Sequence, residues 1–210
     1  MIRILVADDH QIVRSGLRKI LDAQPKWEVV AEAADGKEAI QKALQVKPDV
    51  AVLDYALPLV SGVEATRQIL ARLPKTEVLI FTMHDTETLV RDLLAAGARG
   101  YLLKSDANRF LLEAVEALSQ HKPFFTAKVS ETLLSAFLAK PESDQLSLTA
   151  RERGVVQLIA EGYTNKEVAY ILNISPKTVE AHRAATMRKL NISSTAELVR
   201  YAVRHKIVEP

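Results

Sequence analysis

The chain has 210 residues, 48% of them hydrophobic, which exceeds the usual size of one domain and suffices for two separately cored ones. Its lack of cysteine excludes a disulfide scaffold, thiolate metal sites and a cysteine nucleophile. The net charge of +2 is unevenly spread: residues 149–210 hold ten Lys/Arg against six Asp/Glu, leaving 18 against 20 for residues 1–148, so a basic back and an acidic front imply different partners. No apolar run approaches the roughly 18–20 residues of a membrane span. Met1 to Val6 runs into Asp8-Asp9 without a small-residue cleavage region, so a soluble, cytoplasmic protein with no membrane partner is expected.

In chain order, Ile2–Val6, Glu28–Ala31, Asp49–Leu53, Glu77–Phe81 and Gly100–Leu103 are short β-branched runs that predict strands. Between them Ile12, Val13, Gly16, Leu17, Ile20 and Leu21 recur at helical spacing, as do Phe110, Leu111, Ala114, Val115 and Leu118. Five βα units predict an α/β fold with a five-stranded, parallel, doubly wound sheet. Asp35-Gly36-Lys37-Glu38 and Ser61-Gly62-Val63-Glu64 have the spacing of capping boxes and mark helix starts.

Residues 121–147 read as a linker, with Pro123, Pro141 and the polar run Glu142-Ser143-Asp144-Gln145. Val129, Leu133, Leu134, Phe137 and Leu138 keep helical spacing and predict a helix inside it. Beyond it, Thr149-Ala150-Arg151-Glu152, Thr164-Asn165-Lys166-Glu167 and Ser194-Thr195-Ala196-Glu197 are further capping boxes, and Ser175-Pro176 sets an N-cap before a first-turn proline. The expected domains are therefore 1–120, a partly helical linker 121–147, and an all-α four-helix domain 148–210.

Asp8, Asp9, Asp54, Thr82 and Lys104 each fall at the end of a predicted strand, where ligands of open α/β sheets bind. Three carboxylates brought together repel one another by several kcal/mol per pair at about 4 Å and intermediate dielectric unless a cation intervenes. An oxygen-rich site of this kind suits Mg²⁺. Lys104 can pair with phosphate oxygens and Thr82 can donate to another, which is what phosphoryl transfer asks of a protein. An acidic pair after a strand is often only a helix cap; the five residues together carry the reading.

This constellation, in this order, resembles the receiver domain of two-component response regulators over residues 1 to about 120. The resemblance implies that Asp54 accepts a phosphoryl group from a sensor histidine kinase. It also implies that Asp9 binds Mg²⁺ directly and Asp8 through water, with the Ala56 carbonyl as a further ligand. Thr82 and Tyr101 match the pair whose movement reports phosphorylation. Two positions depart from the family's usual pattern: Leu57 stands where methionine is usual before Pro58, and Ser105 follows Lys104 where proline is frequent. The second departure removes the ground for expecting a cis peptide there.

In the back half, a helix, a tight connection, a helix capped by Thr164, a turn through Leu172-Asn173-Ile174 and a helix capped by Ser175 have helix-turn-helix spacing. On the last of these, Val179, His182, Thr186 and Leu190 share one arc, while Lys177, Glu180, Ala181, Ala184 and Arg188 lie opposite. Charged and very small residues on one face suit entry into a major groove. The segment resembles the LuxR-type helix-turn-helix, and the whole chain a NarL/FixJ response regulator. By that resemblance Glu180, Ala181 and Ala184 face bases, and Lys177, Thr178, Arg183, Arg188 and Lys189 complete the contact to double-stranded DNA, the cations mainly on phosphates. Glu180 stands where lysine is common and favours a cytosine amino group over a phosphate. His182 reads as a packed or capping histidine and not as a ligand, and His84 lacks metal-ligand company.

The implied protein is a transcription regulator, not a turnover enzyme, in which phosphorylation at Asp54 promotes DNA binding and a homodimer. The helix near Leu198 to Val203 is a candidate dimer surface. Two rivals remain at this stage: a phosphatase or phosphotransferase using Asp54 as nucleophile, and a constitutive DNA-binding protein whose first domain is a docking module.

Overall fold

The computed structural model describes residues 1–83, 87–127, 129–131, 134, 148–172, 174–205, 207 and 208. The chain divides into two compact units, Met1–Lys140 and Pro141–Pro210.

In the first unit the elements run β1 (Ile2–Ala7), α1 (Gln11–Asp22), β2 (Trp27–Ala33), α2 (Gly36–Val46), β3 (Val50–Leu53), α3 (Gly62–Arg72), β4 (Glu77–Thr82), α4 (Glu87–Ala95), β5 (Gly100–Leu103), α5 (Ala107–Ser119) and β6 (Phe124–Phe125). The strands are parallel, in the order β2-β1-β3-β4-β5-β6. The order reverses direction between β1 and β3, and the C-terminal ends of those two strands form the crevice where such sheets bind ligands. Every residue of β3, β4 and β5 is buried, as expected of strands covered by helices on both faces. Ile4, Val6, Val52, Leu79, Phe81 and Leu102 face α1 and α5, meeting Leu17, Leu21, Leu111, Val115 and Leu118.

The five expected strands are present, and a two-residue sixth extends the sheet from a stretch that reads as linker. Gly100 and Tyr101 pair with Phe124 and Phe125. A clamp at the other end of the sheet holds this addition: Glu77 Oε1 accepts from Arg99 Nη1 at 3.0 Å and lies 2.8 Å from His121 Nδ1, while Arg99 Nη2 donates to the His121 carbonyl at 2.7 Å. Helical residues follow at 127, 129–131 and 134, with Val129 buried. Leu133, Phe137 and Leu138, also expected in that helix, lie outside the described residues, as do His84 and Asn173.

The second unit is all-helical, with α6 (Ala150–Ala160), α7 (Asn165–Leu172), α8 (Pro176–Lys189) and α9 (Thr195–Arg204). Val155, Leu158, Val168, Val179, Leu198 and Ala202 meet in its core. Gly162, at φ 93°, makes the left-handed turn that ends α6.

The capping spacings have different outcomes in the two units. Thr149 with Glu152 and Ser194 with Glu197 form complete reciprocal boxes. Thr164 and Glu167 also cap each other, through bonds of 2.8 and 3.4 Å. In the first unit Asp35 and Ser61 accept from the third backbone N–H of their helices. Their glutamates, however, go elsewhere: Glu38 to the Ala34 N–H and Lys42, Glu64 to Arg67 and Gln68. A nearby cation competes for the carboxylate that would close the box.

Candidate functional site

Sheet register alone brings the front-half residues together. Ala7 pairs with Leu53, Leu53 with Ile80, and Thr82 with Leu103, so Asp8, Asp54 and Lys104 are each one residue beyond a paired strand end. The Asp54 N–H donates to the Ala7 carbonyl at 2.8 Å, carrying the ladder into the site. Asp8 and Thr82 are fully buried, and Asp54 is 5% exposed.

Lys104 Nζ lies 2.6 Å from Asp8 Oδ2 and 2.8 Å from Asp54 Oδ2, and its pairing with Asp54 has hydrogen-bond geometry. The ammonium also sits 5.9 Å from the Phe81 ring centroid. Burial raises the pKa of the Asp54 carboxyl above its ordinary value, and the Lys104 charge opposes that rise without cancelling it. For Lys104 burial disfavours the charge, but Asp54 and Asp8 outweigh it and the pKa is raised. One partly buried cation thus holds two buried carboxylates, and the cluster is left with net negative charge. An all-oxygen donor set in that condition fits a hard divalent cation.

Two glycines fix the loop that carries Asp54. The Gly62 N–H donates to the Tyr55 carbonyl at 2.9 Å, and a Cβ there would stand 2.2 Å from the Asp54 carbonyl oxygen. A Cβ on Gly36 would stand 1.7 Å from the Val60 carbonyl oxygen. The starts of α2 and α3 therefore press directly on the backbone of the Asp54 loop, which includes Ala56 and the fully buried Leu57. Tyr101 is 2% exposed, already packed inward on β5. Among the described residues there is no cis peptide bond, so the Lys104–Ser105 link is trans.

His10 was not singled out by the sequence reading, although it directly follows the acidic pair. Its Nδ1 lies 2.8 Å from Asp9 Oδ1 and 3.4 Å from Asp8 Oδ1, and its backbone N–H donates to Asp8 Oδ1 at 2.9 Å. The Asp9 charge raises its pKa. Asp8, Asp9 and His10 form a group with the proximity to hold a metal ion. Arg14, one turn into α1, donates to the carbonyls of Asp8 and Asp9 at 2.7 and 3.2 Å and fixes that loop.

In the second unit, α8 divides as its sequence pattern predicts. Val179 and Thr186 are buried, whereas Lys177, Glu180, Ala181, Ala184 and Arg188 are exposed. Ser175 caps the helix, and its Oγ lies 2.8 Å from Thr178 Oγ1. Two expected DNA contacts are tied within the unit instead of standing free. Arg183 donates to Thr195 Oγ1 at the start of α9, and Lys189 Nζ lies 3.3 Å from Glu152 Oε2. Glu180, Arg183, Lys166 and Thr195 line an open groove of about 720 Å³.

Residues 4–116 match the model of the response regulator receiver domain, and residues 146–202 that of the LuxR family of bacterial regulatory proteins. The chain is a two-component response regulator of the NarL/FixJ type. It is 42% identical to the oxygen regulatory protein NreC of Staphylococcus epidermidis, with 99% of each chain covered. Among solved structures, one of the RcsB response regulator of Salmonella typhimurium is 28% identical, covering 95% of this chain and 96% of that one with a TM-score of 0.70. Another, of RcsB from Salmonella enterica serovar Typhimurium bound to promoter P1flhDC in the presence of the phosphomimetic BeF3−, is 27% identical with a TM-score of 0.68, covering 95% of this chain and 97% of that one. The regulator is a DNA-binding transcription factor controlled by phosphorylation and acting with a histidine kinase. Its first unit is a phosphoacceptor domain, not a turnover enzyme. Among the described residues no helix is long and apolar enough to cross a membrane.

Proposed function

We propose that Asp54 is the phosphoacceptor, with Lys104 and Thr82 as the groups that receive the phosphoryl oxygens and Asp8, Asp9, Asp54 and the Ala56 carbonyl as the Mg²⁺ ligands. The observation that carries this reading is the position of Lys104, shared between Asp8 and Asp54 at the switch-point edge of the sheet. An Asp54 carboxylate oxygen attacks phosphorus, the bond from phosphorus to the donor group breaks, and the leaving group takes the electron pair. Lys104 moves from carboxylate to phosphoryl oxygen and stays paired throughout. Bound Mg²⁺ supplies neutralisation of the charge that collects on the phosphoryl oxygens.

Thr82, buried at the end of β4, and Tyr101, buried on β5, form the switch. Phosphorylation at Asp54 shifts a pre-existing equilibrium between two arrangements of this pair, and Tyr101 is packed inward on β5. Lys177, Thr178, Glu180, Ala181, Arg183, Ala184, Arg188 and Lys189 make the DNA surface. Arg183 and Lys189 serve it by bracing α8 from within, given their partners on α9 and α6. Residues 1–120 and 148–210 are the two functional domains, joined through 121–147, and the active form is a cytoplasmic homodimer on DNA half-sites about one helical turn, or a multiple, apart.

The test is DNA binding by wild type and Asp54→Ala at fixed salt, with and without acetyl phosphate and Mg²⁺. The expected result is stronger binding on phosphodonor addition in wild type alone. Equal binding under all conditions would refute Asp54 as the controlling residue.

A further inference from the structure

We infer that β6 is the element through which the switch acts on the linker, and that Glu77, Arg99 and His121 are the latch that holds it in place for that task. The inference rests on the proposed function, because it takes Asp54 and Tyr101 as the parts that set the switch.

β6 lies where movement at the switch must reach it. It pairs with β5 at Gly100 and Tyr101, so the backbone of the switch tyrosine is one side of the ladder that anchors the linker. The Phe124 N–H donates to the Arg99 carbonyl at 2.9 Å. The Phe124 ring meets that of Phe110 with centroids 6.3 Å apart, and Phe110 lies one turn into α5, the helix that follows Lys104. The linker thus touches both the strand that leads to Lys104 and the helix that leads away from it. Its helical stretch begins just beyond β6: the Ser130 N–H donates to the Thr126 carbonyl at 2.9 Å, and Val129 is buried. A shift at Tyr101 or in the first turn of α5 therefore moves the root of that stretch.

A two-residue strand makes too few ladder bonds to hold itself on a sheet edge, and the latch makes up the difference. One carboxylate oxygen of the buried Glu77 serves both Arg99 and His121, and the second arm of Arg99 holds the His121 carbonyl. His121 itself has φ 58°, in the left-handed region that favours glycine. It ends α5 there, with its own N–H on the Leu118 carbonyl and the Lys122 N–H on the Ala117 carbonyl. A side chain stays at such a position only where its surroundings over-determine it, as Glu77 and Arg99 do here. The turn forgoes the residue best suited to it and gains a contact that fixes where the linker begins. The latch stands at the N-terminal ends of β4 and β5, whereas Thr82 and Lys104 follow from their C-terminal ends, so it can be cut without touching the phosphoacceptor site.

The experiment uses the full chain as wild type, Asp54→Ala, Arg99→Met and His121→Gly. The last variant suits the left-handed turn and removes the ring while keeping the fold. Three quantities are read with and without acetyl phosphate and Mg²⁺: phosphoryl uptake by phosphate-affinity electrophoresis, exchange of the Phe124 amide by NMR, and DNA affinity at fixed salt. In wild type the phosphodonor should change Phe124 exchange at least about threefold, and in Asp54→Ala it should not change it. Both latch variants should keep wild-type uptake, exchange the Phe124 amide at least about threefold faster without donor, and lose most of the donor-induced gain in DNA affinity. Latch variants that gain affinity as wild type does, or a Phe124 amide indifferent to the donor in a wild type that is phosphorylated, would overturn the inference and leave Asp54 as the phosphoacceptor. A wild type that takes up no phosphoryl group overturns both.

Discussion

The Asp54 site and the exposed face of α8 are built by opposite means. At the first, strand register, two buried carboxylates and a single shared ammonium fix each atom through residues far apart in sequence. At the second, a capped helix presents its face by local spacing, and long-range contacts only brace it. Substitutions at the first site should therefore change charge balance and loop position together, whereas those at the second should separate stability from recognition.

The largest expected effect comes from removing the shared cation. Lys104→Met leaves Asp8 and Asp54 buried without their counter-charge and should destabilise the first unit by about 3 kcal/mol. Asp54→Asn, which leaves Lys104 paired with Asp8, should cost clearly less. Calorimetric unfolding of the two variants checks the order, and an equal loss would mean that the ammonium is not the keystone.

Leu198→Ala, at a fully buried position of α9, should cost the second unit about 3 kcal/mol. DNA binding should fall with it, while phosphoryl uptake, read by phosphate-affinity electrophoresis, stays at the wild-type level. A smaller loss, about 2 kcal/mol, is expected for Gly62→Ala, since the new methyl group displaces the Asp54 carbonyl. Here slower phosphoryl uptake should accompany the lost stability; unchanged uptake would show that the loop tolerates the shift.

Thr149→Ala removes the cap of α6 and should cost about 1 kcal/mol, confined to the second unit. The same unit should weaken in acid. Burial opposes the charge on Glu152, but the Thr149 N–H and hydroxyl and Lys189 outweigh it and lower its pKa below the ordinary 4.5. Because the folded value lies below the unfolded one, the stabilisation is complete above about 4.5 and is lost as pH falls through the depressed value. Thermal unfolding of wild type and Glu152→Gln should converge below that window. The smallest effect is at the exposed face: Arg188→Ala should leave stability unchanged and reduce the salt dependence of DNA binding by about one charge.

The front-half site was largely legible because Asp8, Asp54, Thr82 and Lys104 each end an apolar run, and parallel sheets align such ends. The arcs of α8 were legible for the analogous reason that helical periodicity sorts Val179 from Lys177 and Glu180. His10 escaped notice because a lone histidine after an acidic pair carries no spacing signal. The sixth strand escaped because Phe124 and Phe125 are too few to show alternation. The capping spacing at Glu38 and Glu64 was real, but sequence does not reveal that Lys42 and Arg67 capture the carboxylates.

By itself the sequence determined the βα alternation, the helix starts, the residues at the strand ends and the composition of the exposed arc of α8. These are local properties, set by periodicity and capping chemistry within a few residues. Only the tertiary structure decided that Lys104 is shared between Asp8 and Asp54, that Gly36 and Gly62 bear on the Asp54 loop, that Tyr101 is packed inward, and that Arg183 and Lys189 turn toward partners on neighbouring helices. Each of these depends on which distant groups become neighbours once the sheet and the helical core have closed, and burial then makes the resulting charge pairs strong enough to choose among alternatives.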